Sequence, residues 1–231
     1  MPEDKQTRLF PPLRLIVLAA LAGLAVGAAA VYVTGGLERN MSADAPQAID
    51  AAATPQDTAC AAKAETAKAV AAAATGDVAA MLPADPPRSL ASLAFNDPNG
   101  KPMTIADRSG KTVLLNLWAT WCAPCRAEMP ALDQLQRDKG SDAFEVVAVN
   151  VDTGDDTKPR KFLEETNVHS LAYYRENTLS LFESLKKQGL ALGLPVTLLI
   201  DKDGCLVASM NGPAEWSGAD AHRLIDKELG G

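Results

Sequence analysis

The sequence has few of the side chains that most metal sites and nucleic-acid surfaces need. It contains only two histidines, and its four cysteines include a single C-x-x-C pair, so the ligand spacing of a structural zinc site is missing. The formal net charge is −7, with no Lys/Arg cluster, which argues against nucleic acid as a partner. There is no internal repeat. The sequence therefore predicts no metal site and no cofactor.

One long apolar run lies near the N-terminus. Residues 15–33 contain no charged side chain, and these 19 residues are long enough for one bilayer crossing. Basic residues precede the run and acidic residues follow it, which predicts a cytoplasmic segment at 1–14, a membrane anchor at 15–34 and an exported remainder. A cleaved signal peptide is the alternative, because Ala28 to Ala30 resembles a cleavage site. Either way we expect the rest of the chain to lie outside the cytoplasm, in a bacterial periplasm, where disulfides persist.

Composition divides the exported part into three segments. Residues 35–56 are small, polar and interrupted by Gly and Pro, which predicts a flexible tether. Residues 57–87 are predicted as a helical extension, with an alanine-rich helix that starts at Asp57 or Thr58 and runs to about Ala74. The prolines that follow mark a boundary, and the main domain is predicted to span residues 88–231.

Strands and helices alternate through the main domain. The predicted strands are 93–96, 112–118, 144–151, 196–201 and 206–210, and the predicted helices are 125–135, 159–166, 178–192 and 215–229. The last two strands are expected to form a hairpin. This order predicts an α/β fold in which helices flank a central mixed sheet.

The C-x-x-C pair lies where a strand gives way to a helix. Cys122 lies four residues after the end of the apolar run 112–118, and Cys125 opens the helical pattern. Unpaired N–H groups and the positive end of the helix dipole favour a thiolate at that point. A thiolate attacks disulfides, and a second cysteine three residues on can resolve the mixed disulfide. The pair therefore predicts thiol–disulfide exchange.

The residues around this pair resemble a known family. The matching segments are 110–126, then Glu128 and Pro130, then 193–197 and 203–205. They resemble the thioredoxin superfamily, and more narrowly its TlpA-like and ResA-like branch of membrane-anchored periplasmic thioredoxins. The resemblance covers residues 88–231 and extends upstream to Cys60. It implies a thioredoxin-like fold.

The resemblance also implies roles for individual residues. Cys122 would be the attacking nucleophile and Cys125 the resolving thiol. Pro195 would follow a cis bond beside the cysteines, so that the backbone of Leu194 could pair with an extended substrate. The remaining substrate-contact candidates are Trp121, Ala123 and Pro124. An ordinary surface role for Trp121 stays open.

One position departs from thioredoxin, which buries an aspartate six residues before the first cysteine. Here that position is Asn116, which does not titrate. The resemblance makes Glu128 the substitute that takes the proton from Cys125, since the two are three residues apart on one helix. The alternative is an exposed early-helix glutamate that complements the dipole.

The other two cysteines are Cys60 and Cys205. The resemblance implies a structural disulfide between them, because TlpA pairs an early cysteine with the hairpin cysteine. Free thiols, or a redox relay to Cys122, are the alternatives. The acidic residues 152, 155 and 156 are expected to form a solvated loop.

Together these features imply a periplasmic protein-disulfide reductase anchored in the bacterial inner membrane. The resemblance implies a membrane electron donor of the DsbD/CcdA type. It implies substrates in copper-centre assembly of cytochrome oxidase, namely an SCO-type chaperone or oxidase subunit II, with apocytochrome c as the alternative. A copper chaperone that uses the two cysteines as ligands, or an oxidase that installs disulfides, are rival functions.

Overall fold

The computed structural model describes residues 54–230. Its helices are α1 (Pro55–Ala61), α2 (Ala64–Ala71), α3 (Ala123–Lys139), α4 (Thr157–Glu165), α5 (Ser180–Lys187) and α6 (Ala219–Leu229). Its strands are β1 (Leu82–Pro83), β2 (Ala94–Asn96), β3 (Pro102–Thr104), β4 (Thr112–Trp118), β5 (Phe144–Asn150), β6 (Tyr174–Arg175), β7 (Val196–Ile200) and β8 (Leu206–Asn211).

Between residues 54 and 230, no helix has the length and apolar character needed to cross a bilayer. The predicted segment 1–14, the anchor 15–34 and the tether up to residue 53 lie outside the described residues and stay predictions.

The strands form one mixed sheet in the order β1-β8-β7-β4-β5-β6-β2-β3. The central strand β4 runs parallel to β5 and antiparallel to β7. All seven residues of β4 are buried, as expected for an inner strand that is covered on both faces. The predicted α/β fold, with flanking helices around a central mixed sheet, is confirmed.

The pairing of β4 with β7 decides which loops meet. Leu117, near the end of β4, lies opposite Val196, the first residue of β7. Because the two strands are antiparallel, the segment after β4 and the segment before β7 reach the same edge of the sheet. This edge, which we call the active edge, carries residues 119–125 and 193–195.

The alanine-rich segment differs from its prediction. It forms two helices, α1 and α2, instead of one helix up to Ala74. Its start is also earlier than Asp57 or Thr58, because Thr54 caps α1: the Asp57 N–H donates to the Thr54 hydroxyl, and the Thr54 N–H donates to the Asp57 carboxylate. This reciprocal capping box places residues 55–56 in the helix, although they were predicted as tether.

Two other helices are shorter than predicted. Helix α5 begins after Leu179, whose backbone is left-handed, and ends before Gly189, whose positive φ reverses the chain. Helix α6 begins at Ala219 and not at Glu215. The short strands β1, β3 and β6 were not predicted, because two or three residues carry too little periodicity and are specified by their partners.

Helix α3 is held in place by a buried carboxylate. Asp133 accepts the backbone N–H groups of His169, Ser170 and Leu171 at 2.9, 2.6 and 3.1 Å. It also forms an ion pair with Arg137 at 2.9 Å. These bonds fix the helix that begins at the cysteine pair against the segment before β6.

A disulfide joins Cys60 on α1 to Cys205, at the turn between β7 and β8. Beside it, Lys63 Nζ lies 2.6 Å from a carboxylate oxygen of both Asp201 and Asp203. The bridge and the ion pairs together attach the helical extension to the hairpin. Strand β1 continues this attachment, since it pairs with β8 at the margin of the sheet.

We predict that the double variant Cys60→Ser/Cys205→Ser has a lower free energy of unfolding. The two cysteines are 145 residues apart in sequence, and releasing so long a loop is expected to cost on the order of 2 to 5 kcal/mol. Urea unfolding of the variant and the wild type measures the difference. Disulfide-exchange activity should be unchanged in the folded variant. A loss of turnover without a loss of stability would show that the bridge is part of the chemistry.

Candidate active site

Cys122 and Cys125 form a disulfide at the N-terminus of α3. Cys122 is the N-cap residue, and the backbone N–H of Cys125 points at its sulfur, with N···Sγ 3.2 Å. Cys122 is 6% exposed, whereas Cys125 is 0% exposed. Only the first cysteine is therefore within reach of an external sulfur.

The electrostatics of this helix start favour negative charge on Cys122. The first turn of α3 contains no acidic residue, so no carboxylate opposes the positive end of the dipole. Pro124 occupies a position in the first turn where its missing N–H removes no helical bond. Ala123 and Pro124 are exposed, and Trp121 beside them is 66% exposed. These three side chains form an accessible rim next to Cys122.

Glu128 lies one turn further along α3 and is buried, at 3% exposure. Its carboxylate accepts three hydrogen bonds: from Asn116 Nδ2 at 2.9 Å, from the Ala214 N–H at 3.1 Å and from Trp216 Nε1 at 3.0 Å. The alternative of an exposed, dipole-complementing glutamate is thus wrong. The i, i+3 spacing puts Glu128 on the same face of α3 as the buried Cys125.

Burial raises the pKa of Glu128 to about 6, although the three hydrogen bonds act in the opposite direction. A carboxylate with a pKa near neutrality can both accept and return a proton under physiological conditions. This is the property that a proton acceptor for a buried thiol needs.

The segment before β7 completes the active edge. The Leu194–Pro195 peptide bond is cis, as the resemblance implied. Pro195 is buried, and its carbonyl accepts the Gly212 N–H at 2.9 Å. Leu194 is half-buried, and within residues 54–230 its backbone N–H and C=O make no backbone hydrogen bond. Leu192, two residues earlier, is 84% exposed.

Asp152 was predicted to lie in a solvated loop, and this is wrong. It is buried and accepts hydrogen bonds from the backbone N–H and the hydroxyl of Thr120 at 2.9 and 3.1 Å. Its role is to fix the turn that leads from β4 to Cys122. Asp155 is exposed, as expected. Within the described residues, no group of three His, Cys, Asp or Glu side chains is arranged to hold a metal.

A cleft of about 610 Å³ is lined by Trp121, the residue before Cys122, and by the start of α4. The lining residues are Thr120, Trp121, Asp152, Thr153, Gly154, Asp155, Lys158 and Pro159. The cleft thus lies beside Trp121, and neither cysteine lines it.

The structure separates the two disulfides. Cys205 follows the end of β7, whereas Pro195 precedes its start, so the length of the strand lies between them. Five residues of strand span roughly 17 Å. Cys60 and Cys205 therefore lie at the opposite edge of the sheet from Cys122, too far for direct sulfur exchange within this conformation.

Two contributors to the site were missed by sequence reasoning. Trp216 lies in a segment predicted as helix, and nothing in its neighbourhood indicated a contact with Glu128, which is 88 residues earlier. Thr197 accepts a hydrogen bond from Asn116 Nδ2 at 3.0 Å and so helps to orient that amide. Its position directly opposite Asn116 becomes visible only from the strand register.

We predict that the free energy of unfolding falls as the pH rises through the range in which Glu128 ionises. Its raised pKa means that, between about pH 4.5 and 6, the folded protein holds a proton that the unfolded chain has released. The stabilisation is present below pH 4.5 and is lost through pH 6, by about 2 kcal/mol in total. Urea unfolding of the wild type and Glu128→Gln at about pH 4.5 and about pH 7, on either side of the titration, measures it.

The difference between the two proteins isolates Glu128. Burial also raises the pKa of Glu228, to about 7, but that group titrates in both proteins and cancels. If the wild type and Glu128→Gln lose the same stability from pH 4.5 to 7, the carboxylate is not held in the folded state as described.

Comparison with known proteins agrees with the fold and the cysteine pair. The Redoxin family model matches residues 56–225. Thioredoxin-like protein YneN of Bacillus subtilis is 34% identical over 113 residues, which are 47% of this chain and 61% of that protein. Thiol-disulfide oxidoreductase ResA of Bacillus cereus is 31% identical over 127 residues, 52% of this chain and 66% of that protein. The matches thus span less than two thirds of these relatives.

Solved structures show the same likeness. A thiol:disulfide interchange protein of the thioredoxin family from Chlorobium tepidum superposes with a TM-score of 0.51 at 26% identity, and the match covers 62% of this chain and 97% of that one. Its fold is the one described above, with the central mixed sheet and flanking helices. The chain therefore belongs to the Redoxin family and has a thioredoxin-like fold.

Proposed function

We propose that the protein is a thiol:disulfide oxidoreductase that reduces disulfides in exported proteins. The observation that carries the proposal is the asymmetry of the cysteine pair at the start of α3. Cys122 is accessible and has a backbone N–H on its sulfur, whereas Cys125 is fully buried on the same helix face as Glu128. The names of the relatives support the same chemistry.

The reaction begins with both cysteines reduced. The Cys122 thiolate attacks one sulfur of the substrate disulfide; a Cys122–substrate bond forms, and the departing sulfur takes the electron pair and a proton. The Cys125 thiol then gives its proton to the Glu128 carboxylate and attacks the Cys122 sulfur. The Cys122–Cys125 bond forms as the substrate leaves as a thiolate and is protonated. Two electrons have passed to the substrate.

The direction of the reaction is proposed from the residues between the cysteines. Ala123 and Pro124 provide no cationic or histidine side chain that would stabilise the reduced pair. Oxidants of this kind owe their strength to stabilisation of the reduced form. The Ala-Pro pair thus favours a reductant, which must itself be re-reduced by a thiol donor of the DsbD/CcdA type.

We further propose that the protein acts from the bacterial inner membrane, with its domain in the periplasm, in copper-centre assembly. The support is the apolar run at 15–33 and the Cys60–Cys205 bridge, the feature by which the sequence resembles TlpA. The proposed substrates are an SCO-type copper chaperone or oxidase subunit II. Apocytochrome c remains the second candidate, supported by the similarity to ResA.

We predict that Cys125→Ser traps the substrate. Without the resolving thiol the mixed disulfide on Cys122 persists, so substrates remain covalently attached and are identified by mass. Cys122→Ser should reduce insulin disulfides no faster than the reaction without enzyme. The double variant Cys122→Ser/Cys125→Ser is the matched control and should capture nothing. Equal capture of substrates by Cys122→Ser would show that Cys122 is not the attacking nucleophile.

Measurements of the reduction potential and of Cu(I) binding on the purified protein distinguish the rival functions. A reduction potential well above that of glutathione would favour an oxidase. Stoichiometric binding of Cu(I) by the reduced protein, together with no reduction of insulin, would favour a copper chaperone. We expect a reducing potential and no stoichiometric copper complex.

We predict that the full chain, tagged at its C-terminus and expressed in a bacterium, stays with the membrane after an alkaline carbonate wash. Added protease should remove the tag from spheroplasts whose inner membrane is intact, because the domain lies outside that membrane. A cytoplasmic protein in the same cells is the control for intactness. Release into the soluble periplasm would instead indicate a cleaved signal peptide.

A further inference from the structure

Three donors, and no acceptor among the described residues, contact the Glu128 carboxylate. The Asn116 amide contacts Oε1, whereas the Ala214 N–H and the Trp216 indole contact Oε2. Trp216 is 0% exposed, so its N–H has no access to water as an alternative partner. Hydrogen bonds from donors alone stabilise the ionised form of a buried carboxyl group.

The Asn116 side-chain amide presents its nitrogen to Glu128, and its oxygen is buried without a hydrogen-bond partner among the described residues. Asn116 Nδ2 donates both to Glu128 and to Thr197 Oγ1, and rotating the side-chain amide would replace this donor with an acceptor. In this orientation the amide is a donor toward Glu128. Trp216 and Ala214 belong to the loop between β8 and α6, so this loop and strand β4 hold the carboxylate from two sides.

Charged groups do not explain the state of Glu128. Strands β4 and β7 carry no charged residue. On the loop, the carboxylate of Glu215 is exposed and accepts from Ser217. On α3 itself, Arg126 is exposed and Asp133 is bonded to the backbone of residues 169–171. Burial and the three donors are the causes that act on the pKa of Glu128.

We propose that Trp216 is a positioning residue for proton transfer, whose indole N–H holds the Glu128 carboxylate ionised and oriented to receive the proton of Cys125. This inference rests on the proposed function, because it assigns a residue to the resolving step. The proton moves from the Cys125 sulfur to Glu128 as the Cys122–Cys125 bond forms. It returns to Cys125 when a donor thiolate attacks Cys122 and Cys125 leaves. Trp216 supplies no proton and changes no bond.

The resolving step can be observed with the aromatic disulfide dithiobis(nitrobenzoate). The reduced full chain releases one coloured thiolate when Cys122 attacks the reagent, and a second when Cys125 resolves the mixed disulfide. Stopped-flow absorbance separates the two releases. The pH at which the second release reaches half its maximal rate reports the ionisation of its proton acceptor.

We predict that Trp216→Phe moves this midpoint to higher pH by about one unit, because a lost hydrogen bond to an ionised carboxylate changes its proton affinity by roughly tenfold. The first release should be unchanged. Trp118→Phe is the matched control, since Trp118 is equally buried but packs against Phe162 instead of Glu128. Its midpoint should equal that of the wild type.

A double variant distinguishes an effect of Trp216 through Glu128 from a general disturbance of the fold. In Glu128→Gln the acceptor is absent, so adding Trp216→Phe should produce no further slowing of the second release. Further slowing there, or an unmoved midpoint in Trp216→Phe, would overturn the assignment of Trp216. If Trp216→Phe does not fold, Asn116→Leu removes a different donor and must shift the midpoint in the same direction for the proposal to stand.

The two releases also distinguish this inference from the proposed function. If neither thiolate is released, the cysteine pair is not an exchange centre and the proposed function fails. If both are released with an unmoved midpoint in the variants, the exchange chemistry stands and only the role of Trp216 is lost.

Discussion

The abrupt change from the central strand β4 to helix α3 is the constraint on which the rest of the site depends. It places Cys122 at the N-cap of α3, beside the first-turn N–H groups that have no helical partner, and it buries Cys125 three residues further along. The transition is held by Asp152, which bonds both the backbone and the hydroxyl of Thr120. Asp133 fixes the same helix further along its length. Two buried carboxylates thus hold the segment that carries the cysteine pair, although neither contacts the sulfur atoms in the hydrogen bonds described.

A third buried carboxylate, Glu128, is balanced between two opposing effects. Burial disfavours its charge, whereas three donors favour it, and the outcome is a pKa of about 6. A carboxylate surrounded only by apolar side chains would stay protonated, and an exposed one would stay ionised. The intermediate value lets one residue accept a proton and later return it. The strand position at which thioredoxin buries an aspartate is Asn116 here, and under the proposed mechanism the acid comes from the helix instead.

The second disulfide has a different place in the molecule. Cys60 and Cys205 lie at the edge of the sheet away from Cys122, where they and the Lys63 ion pairs attach the extension to the hairpin. The two disulfides therefore lie at opposite ends of β7. The distance between them keeps the two from exchanging partners.

Local pattern was sufficient to predict the main elements and to select the candidate reactive cysteines. The bounds of β4 were predicted to the residue, because a largely apolar run ahead of the cysteine pair is typical of a buried strand. Cys122 and Cys125 follow from their spacing, and Glu128 followed from the resemblance. The start of α1 was missed although its signal, Thr54 three residues before Asp57 with a proline between, was present in the sequence.

Only the tertiary structure decided how these residues meet. The contact of Trp216 with Glu128 joins residues 88 positions apart, and no local pattern encodes such a contact. The burial of Asp152 depends on Thr120 in a neighbouring loop, and the placement of Pro195 near Cys122 depends on the register of β7 against β4. The sequence by itself determined which atoms can react. Packing determined the protonation, exposure and partners of those atoms, because these depend on groups that are close in space and distant in the chain.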